Sequence, residues 1–352
     1  MKNLIKLPGL IDVHVHLREP GATQKEDFHS GSKAAIAGGF TTVVDMPNNP
    51  EPTTTFLALK KKIKLAKKKS LCCVYFYFGA DQNNFGEFPK VKKVCKGLKI
   101  YMDHTTGPLL IESLAVLENH FKYWPKDLPI LVHAEDGTIL KAILLAKIYQ
   151  KKLHLCHLSQ ASELEIVKWT KKKGYQITCE VTPHHLFLNK DNGEKLGPLG
   201  MARPPLRTKK DNLALWRGLK DGLIDIIATD HAPHTLEEKK STNPPNGVPG
   251  LETALPLLLT AVNEGEISLK LLEKVLYENP RRIFNIKPLK NTYIEIDLKE
   301  KWVIKNESLY TKCGWTPFAG FRVQGKLKRV IFQGQEVFKD GRFNHKNLWE
   351  SS

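Results

Sequence analysis

Cysteine is scarce and scattered in this 352-residue chain: six residues, at 72, 73, 95, 156, 179 and 313, without the spacing of a disulfide framework. Such usage excludes a cross-linked secreted scaffold and fits reduced thiols. Long apolar runs are missing as well. No stretch reaches the ~18 apolar residues of a spanning helix, and no leader-like apolar segment follows Met1-Lys2-Asn3. A cytoplasmic protein without membrane association is expected. Arginine is the third shortage: it supplies 9 of the 54 basic residues, and the 45 lysines spread through stretches such as Lys60-Lys61-Lys62 and Lys67-Lys68-Lys69. Nucleic-acid readers combine basic clusters with arginine and exposed aromatics. The net charge of +17 therefore reads as a solvated lysine surface that helps attract anionic substrates, not as a nucleic-acid interface.

What is present is apolar content of 41%, enough for a large core. Short β-type runs at 9–17, 41–46, 72–79, 97–102, 130–134, 153–158, 176–181 and 225–229 alternate with helical stretches at 28–37, 54–68, 111–121, 139–151, 161–173 and 209–220. Eight strands joined by helical crossovers predict a closed (β/α)8 barrel of the TIM type rather than an open sheet. Beyond residue 250 the pattern changes to a helical pair, 252–263 and 269–277, and then to β-rich runs at 292–298 and 323–338, with turn signals at Gln333-Gly334 and Lys339-Asp340-Gly341. The expected organisation is a catalytic barrel over 1–285 and a small β-rich segment over 286–352 packed on it.

Asp12-Val13-His14-Val15-His16 ends the first strand. Residues 12, 14 and 16 share a strand face, so both imidazoles can reach one metal ion, a geometry that suits Zn²⁺. Alone, such a pair could equally satisfy local hydrogen bonds. The pattern recurs, however: Lys99 lies in the fourth strand, His133 ends the fifth, His157 the sixth, and Asp230 follows the eighth. Barrel active sites form at these C-terminal ends. Two metals suit the set better than one, with His14, His16 and Asp230 on the first and His133 and His157 on the second. A bridging anion is then missing. Lys99 can supply it only as a carbamate, after its nitrogen adds CO₂; its place in the apolar run Gly97-Leu98-Lys99-Ile100-Tyr101 makes it a buried lysine in need of a partner.

The stretch from Pro8 through Asp12-Val13-His14-Val15-His16-Leu17-Arg18-Glu19 to Pro20, together with Ala228-Thr229-Asp230-His231-Ala232-Pro233-His234, closely resembles the two signatures of dihydroorotases in the amidohydrolase superfamily. The match runs on through Met46-Pro47-Asn48, Gly97-Leu98-Lys99, His133-Ala134-Glu135, Cys179 to His185 and Asn279 to Phe284, covering nearly the whole chain. It is strongest to the dihydroorotase domain of the multifunctional pyrimidine-synthesis protein of animals. That resemblance implies a carboxylated Lys99 bridging two zinc ions, with the histidines and Asp230 divided between them as above, and Cys156 and Glu180 matching ligands of a third zinc. Arg18, Asn48, Arg203 and His234 match groups that hold the substrate carboxylate, and Asn246 lies in a loop whose backbone meets the substrate. Thr105 matches the threonine of a flexible lid loop, whereas Thr106 stands where the animal domain has phenylalanine. Loss of that ring would weaken the exclusion of water and lower turnover without changing the chemistry. Asp12 has no ligand role in the family and reads as structural.

The implied reaction is the reversible cyclisation of N-carbamoyl-L-aspartate to (S)-dihydroorotate and water, in de novo pyrimidine biosynthesis. A water made nucleophilic by the metals attacks the ring amide, and Asp230 carries its proton to the leaving nitrogen. Two alternatives stay open: a sister cyclic amidohydrolase (dihydropyrimidinase, hydantoinase or allantoinase), and an inactive barrel that scaffolds aspartate transcarbamoylase. A homodimer is expected, with aspartate transcarbamoylase as a further partner.

Overall fold

A first short strand, β1 (Ile5–Pro8), precedes nine parallel segments that make eight staves. These are β2 (Leu10–Val15), β3 (Phe40–Asp45), β4 (Cys73–Phe76), β5 (Phe78–Gly79), β6 (Leu98–Tyr101), β7 (Ile130–His133), β8 (Leu153–Leu155), β9 (Ile177–Val181) and β10 (Ile226–Ile227) in a computed structural model that describes residues 4–105 and 107–344. Strands covered on both faces read as continuous apolar runs, and every residue of β2, β3, β6 and β7 is buried. One group pairs in the order β2-β3-β4 and the other β10-β9-β8-β7-β6-β5. The two groups join at Tyr77, where a single stave changes partners: Tyr77 donates its backbone N–H to Asp45 (3.1 Å) and Phe78 to Gly97 (3.0 Å).

The other seam closes around Asp12, which the sequence read as structural. Val15 bridges to His231 in parallel, and the Asp12 carboxylate accepts the Thr229 N–H (3.1 Å), the Thr229 hydroxyl (2.5 Å) and the His14 N–H (3.1 Å). Asp12 thus ties the first stave to the last. The expected eight-stranded barrel is the observed fold.

Inside the barrel, Ile11, Val13, Val44, Tyr77, Leu131 and Ile226 form one apolar layer with Phe284 and Ile286. Phe284 comes from the segment after helix Asn279–Ile283 and meets the Tyr77 and His154 rings at 5.7 and 5.1 Å. Asn279 donates its side-chain amide to the Asp225 carbonyl (2.7 Å), just before β10. This explains the Asn-Pro-Arg-Arg-Ile-Phe run: it seals the end of the barrel opposite the polar residues. The larger core lies between the strands and the outer helices, whose ends follow ordinary capping chemistry. Asp27, for example, accepts the Ser30 N–H in a capping box at helix Phe28–Ala37.

After the barrel come β11 (Tyr293–Val303), β12 (Arg322–Phe332), β13 (Gln335–Lys339) and β14 (Arg342–Phe343), antiparallel in the order β1-β11-β12-β13-β14. The first strand expected, 9–17, is preceded by a separate short one: the chain turns at Gly9, and Leu7 pairs with Ile294. A Cβ at Gly9 would lie 2.3 Å from Thr41 Oγ1 and 2.9 Å from Thr292 Cγ2, so only glycine passes this corner between the two sheets. The run expected over 323–338 is two strands, β12 and β13, turning at Gln333-Gly334, where both residues have positive φ (52° and 89°). Among the described residues, no helix is long and apolar enough to cross a membrane.

Candidate metal centre and active site

The strand ends deliver the polar residues to one place. His14 and His16 leave β2, Lys99 sits in β6, His133 ends β7, Cys156 and His157 follow β8, Glu180 lies in β9 and Asp230 follows β10. His16 Nε2 is 3.0 Å and His14 Nε2 3.3 Å from Asp230 Oδ1, and His133 Nδ1 is 2.9 Å from His157 Nε2. The His14 ring stands 5.3 Å from that of His157 and 5.4 Å from that of His16. His14, His16, Lys99, His133, His157 and Asp230 line one cavity together with Arg18, Asn48, Tyr101, Thr105, Arg203 and Asn246. Arg18, His157 and Asp230 all adopt positive φ (62°, 35° and 47°). Such a conformation costs a non-glycine residue about 1 kcal/mol, and here it turns each side chain into the cavity mouth.

The electrostatics divide the ligand set in two. Burial opposes ionisation of Asp230, but the His14 charge and the His16 hydrogen bond overcome it and hold the carboxyl well below its usual range. Burial likewise opposes charge on His14, yet Glu180 and Asp230 raise it to about 10. One imidazole is thus squeezed between two carboxylates, Glu180 on Nδ1 and Asp230 on Nε2. His133 and His157 go the other way. Burial drives both well below the ordinary histidine value, helped at His133 by Lys99 and at His157 by His133 and then Lys99. Both are therefore neutral, with lone pairs to offer.

These donors fit metal ions. His14, His16 and Asp230 bring ligand atoms within 4.8 Å of one another, as do His14, Cys156 and Glu180. His133 Nε2 and His157 Nδ1 have no hydrogen-bond partner although buried, and the other nitrogens of these two neutral rings face each other at 2.9 Å; imidazole nitrogens are donors of the kind divalent metals take. Lys99 is fully buried; its Nζ lies 3.0 Å from Cys156 Sγ and 5.1 Å from the centre of the Tyr101 ring. Among the described residues it has no carboxylate partner, the situation in which an ammonium is costly.

The family model described as the amidohydrolase family matches residues 5–289. The dihydroorotase of Pyrococcus furiosus is 37% identical over 361 residues, covering 96% of this chain and 83% of that protein. The chain belongs to the amidohydrolase family, among its dihydroorotases. The multifunctional protein CAD of Squalus acanthias is 48% identical over 339 residues, covering 96% of this chain, which spans only 15% of that polypeptide. Among solved structures, the L-hydantoinase (dihydropyrimidinase) of Arthrobacter aurescens superposes with a TM-score of 0.91 at 27% identity, covering 97% of this chain and 87% of that one.

Within this amidohydrolase barrel the remaining candidates fall at different depths. Asn48 Oδ1 contacts His16 Nδ1 (2.8 Å) and so orients the ring toward Asp230. Arg18 is tied back, Nε to the Pro233 carbonyl (3.0 Å) and Nη2 to His234 Nε2 (3.1 Å). His234 stands behind Arg18 and is fully enclosed. Arg203 reaches the cavity but pairs with Glu135 (2.8 Å), which also holds Arg207 (2.9 Å). Thr105 and Asn246 line the cavity; Thr106 lies outside the described residues. Sequence reasoning passed over His154, which binds Glu180 Oε2 through Nε2 (3.1 Å) and Thr178 through Nδ1 (2.9 Å). The run His154-Leu155-Cys156-His157 carried that signal. Sequence reasoning gave no role to Glu135, Tyr101 or Lys25, although the His133-Ala134-Glu135 match contains the first.

Proposed function

We propose that this chain is a zinc-dependent dihydroorotase that interconverts N-carbamoyl-L-aspartate and (S)-dihydroorotate in the cytoplasm, as a step of pyrimidine biosynthesis. The observation that carries the reading is the ionised Asp230, gripped by His14 and His16 on the same cavity wall as the Arg18 guanidinium and Asn48. His14, His16 and Asp230 would hold one zinc and His133 with His157 another, Lys99 would bridge them as a carbamate, and Cys156 with Glu180 would serve a third. When bound, the metals lower the pKa of water and polarise the amide carbonyl.

The chain's own groups do the rest. Arg18 and Asn48 bind the substrate carboxylate, for which a guanidinium fork is shaped. Asp230 Oδ1 accepts a proton on the hydrolytic path and returns it to the amide nitrogen as the ring opens; ring closure runs the transfers in reverse. Asn48 keeps His16 turned toward Asp230, and the lid loop that carries Thr105 excludes water. Glu135 holds Arg203 and Arg207 at the mouth, a cationic rim that favours an acidic ring over the neutral rings of hydantoinases and dihydropyrimidinases.

The proposed assembly is a homodimer, and Leu140, Leu144 and Ile148 support it. They form an exposed apolar stripe at helical spacing on helix Gly137–Ile148. Association with aspartate transcarbamoylase is the corresponding proposal for a partner. The deciding experiment compares purified protein on N-carbamoyl-L-aspartate, dihydroorotate, dihydrouracil and hydantoin. Turnover of the first two is expected; turnover of the neutral rings alone would overturn the reading, and no turnover with zinc bound would favour the scaffold.

A further inference from the structure

His234 has a cation on each side. Arg18 Nη2 approaches Nε2 at 3.1 Å and Lys25 Nζ approaches Nδ1 at 3.2 Å. A guanidinium and an ammonium can only donate, and a neutral imidazole has one N–H and one lone pair. Both contacts therefore cannot be hydrogen bonds at once. The ring is fully enclosed, and it is neutral, since burial and then the neighbouring Arg18 and Lys25 charges lower it to about 2. Two arrangements remain. In the first, Nε2 accepts from Arg18 and the proton sits on Nδ1, which has Glu238 Oε2 at 3.5 Å. In the second, Nδ1 accepts from Lys25, the proton sits on Nε2, and Arg18 is released.

Lys25 is built for the second arrangement. Its side chain is 18% exposed and paired with Glu238 Oε1 at 3.0 Å. Glu238 is fixed in turn by the capping box of helix Leu236–Lys239, where its Oε2 accepts the Thr235 N–H (3.1 Å). Lys25 also lines a groove that shares His16, Arg18 and Asn48 with the metal-site cavity, so its chemistry is continuous with that of the substrate pocket. A carboxylate that enters there claims the Arg18 donors and leaves Nε2 facing an anion, which an N–H suits and a lone pair does not.

We propose that Lys25, held by Glu238, is a positioning residue that sets the proton on His234: when a substrate carboxylate takes Arg18, Lys25 donates to Nδ1 and His234 becomes an Nε2–H donor. One N–H is lost at Nδ1 and one gained at Nε2, exchanged through solvent in the groove, so the ring's proton count is unchanged. This inference rests on the proposed acidic substrate, and its test separates the two.

In ¹⁵N-histidine-labelled protein, long-range ¹H–¹⁵N spectra report which His234 nitrogen bears the proton, with and without succinate, a dicarboxylate that cannot cyclise. The wild type is expected to show Nδ1–H alone and Nε2–H with succinate, whereas Lys25→Met stays Nδ1–H throughout. For N-carbamoyl-L-aspartate, Lys25→Met is expected to raise KM about tenfold with kcat within about twofold, and Lys25→Arg to restore most of the loss. A His234 tautomer that does not respond to succinate in the wild type, an unchanged KM in Lys25→Met, or a fall in kcat alone would each overturn the proposal. Failure of the wild type to turn over the acidic substrates would instead refute the function reading, while the succinate spectra would still judge the proton switch.

Discussion

Replacing Asp230 with asparagine keeps the shape of the side chain and removes its charge. In the folded protein that carboxylate touches His14 Nε2 at 3.3 Å and His16 Nε2 at 3.0 Å, and it is held ionised well below its usual range, so it is a base at any physiological pH. An amide at this position cannot accept the proton. General acid–base catalysis contributes about 10² to 10⁴ in rate, and the midpoint of about 10³ corresponds to about 4 kcal/mol of barrier. The substitution also removes the anionic member of the proposed zinc ligand set. The assay is therefore paired: kcat for N-carbamoyl-L-aspartate beside zinc content measured by mass spectrometry on the same sample. A fall of about 10³ in kcat with zinc retained is the expected result. Activity within tenfold of the wild type, with normal zinc content, would refute Asp230 as the proton carrier.

Three further outcomes follow from the same structure. Asp12→Ala leaves the Thr229 N–H, the Thr229 hydroxyl and the His14 N–H without their acceptor; at about 1 kcal/mol or more for each buried donor, a loss of about 3 kcal/mol is expected, read as a fall of several degrees in Tm, and an unchanged Tm would show that Asp12 does not hold the seam. Burial raises Glu252 from its ordinary 4.5 to about 8 despite hydrogen bonds from the Tyr310 and Thr311 N–H groups. A carboxyl whose folded-state pKa is raised costs stability as pH climbs from its unfolded value toward its folded one, so wild-type Tm should fall across that window, and the Tm of Glu252→Gln should fall less. Dipicolinate should abolish activity and zinc should restore it, because His133 and His157 are neutral imidazoles whose Nε2 and Nδ1, respectively, are buried without a hydrogen-bond partner; full activity in metal-free protein would defeat the metal assignment.

Much of the barrel was legible because its signal is local. Helices Phe28–Ala37 and Lys209–Lys220 lie where the apolar periodicity placed them, since a helix face or a buried strand announces itself in consecutive residues. Other elements shifted by a turn: the helix expected over 139–151 is Gly137–Ile148, and the pair partner expected over 269–277 runs as Leu269–Glu273 and then a π-helical turn, Lys274–Glu278. Pattern cannot locate an end that is set by the chain's next contact. The histidines and Asp230 were readable for a different reason. Their residue types are rare at the ends of apolar strands, and a barrel brings all strand ends together whatever the register.

Eight staves, and C-terminal ends that present imidazoles, a lysine and a carboxylate to one cavity, were already written in consecutive residues, although the single run at 72–79 hid the change of partner at Tyr77. Only the tertiary structure decided who faces whom. It set Glu180 against His14 Nδ1, put Lys99 beside Cys156, moved Ile5–Pro8 into the antiparallel sheet through the crowded Gly9 corner, and stationed Lys25 behind the substrate pocket against His234. The reason is physical. Periodicity fixes the direction of a side chain within its own element, but the partner it meets depends on stagger between strands, on the left-handed turns at Arg18, His157 and Asp230, and on loops that return from far along the chain.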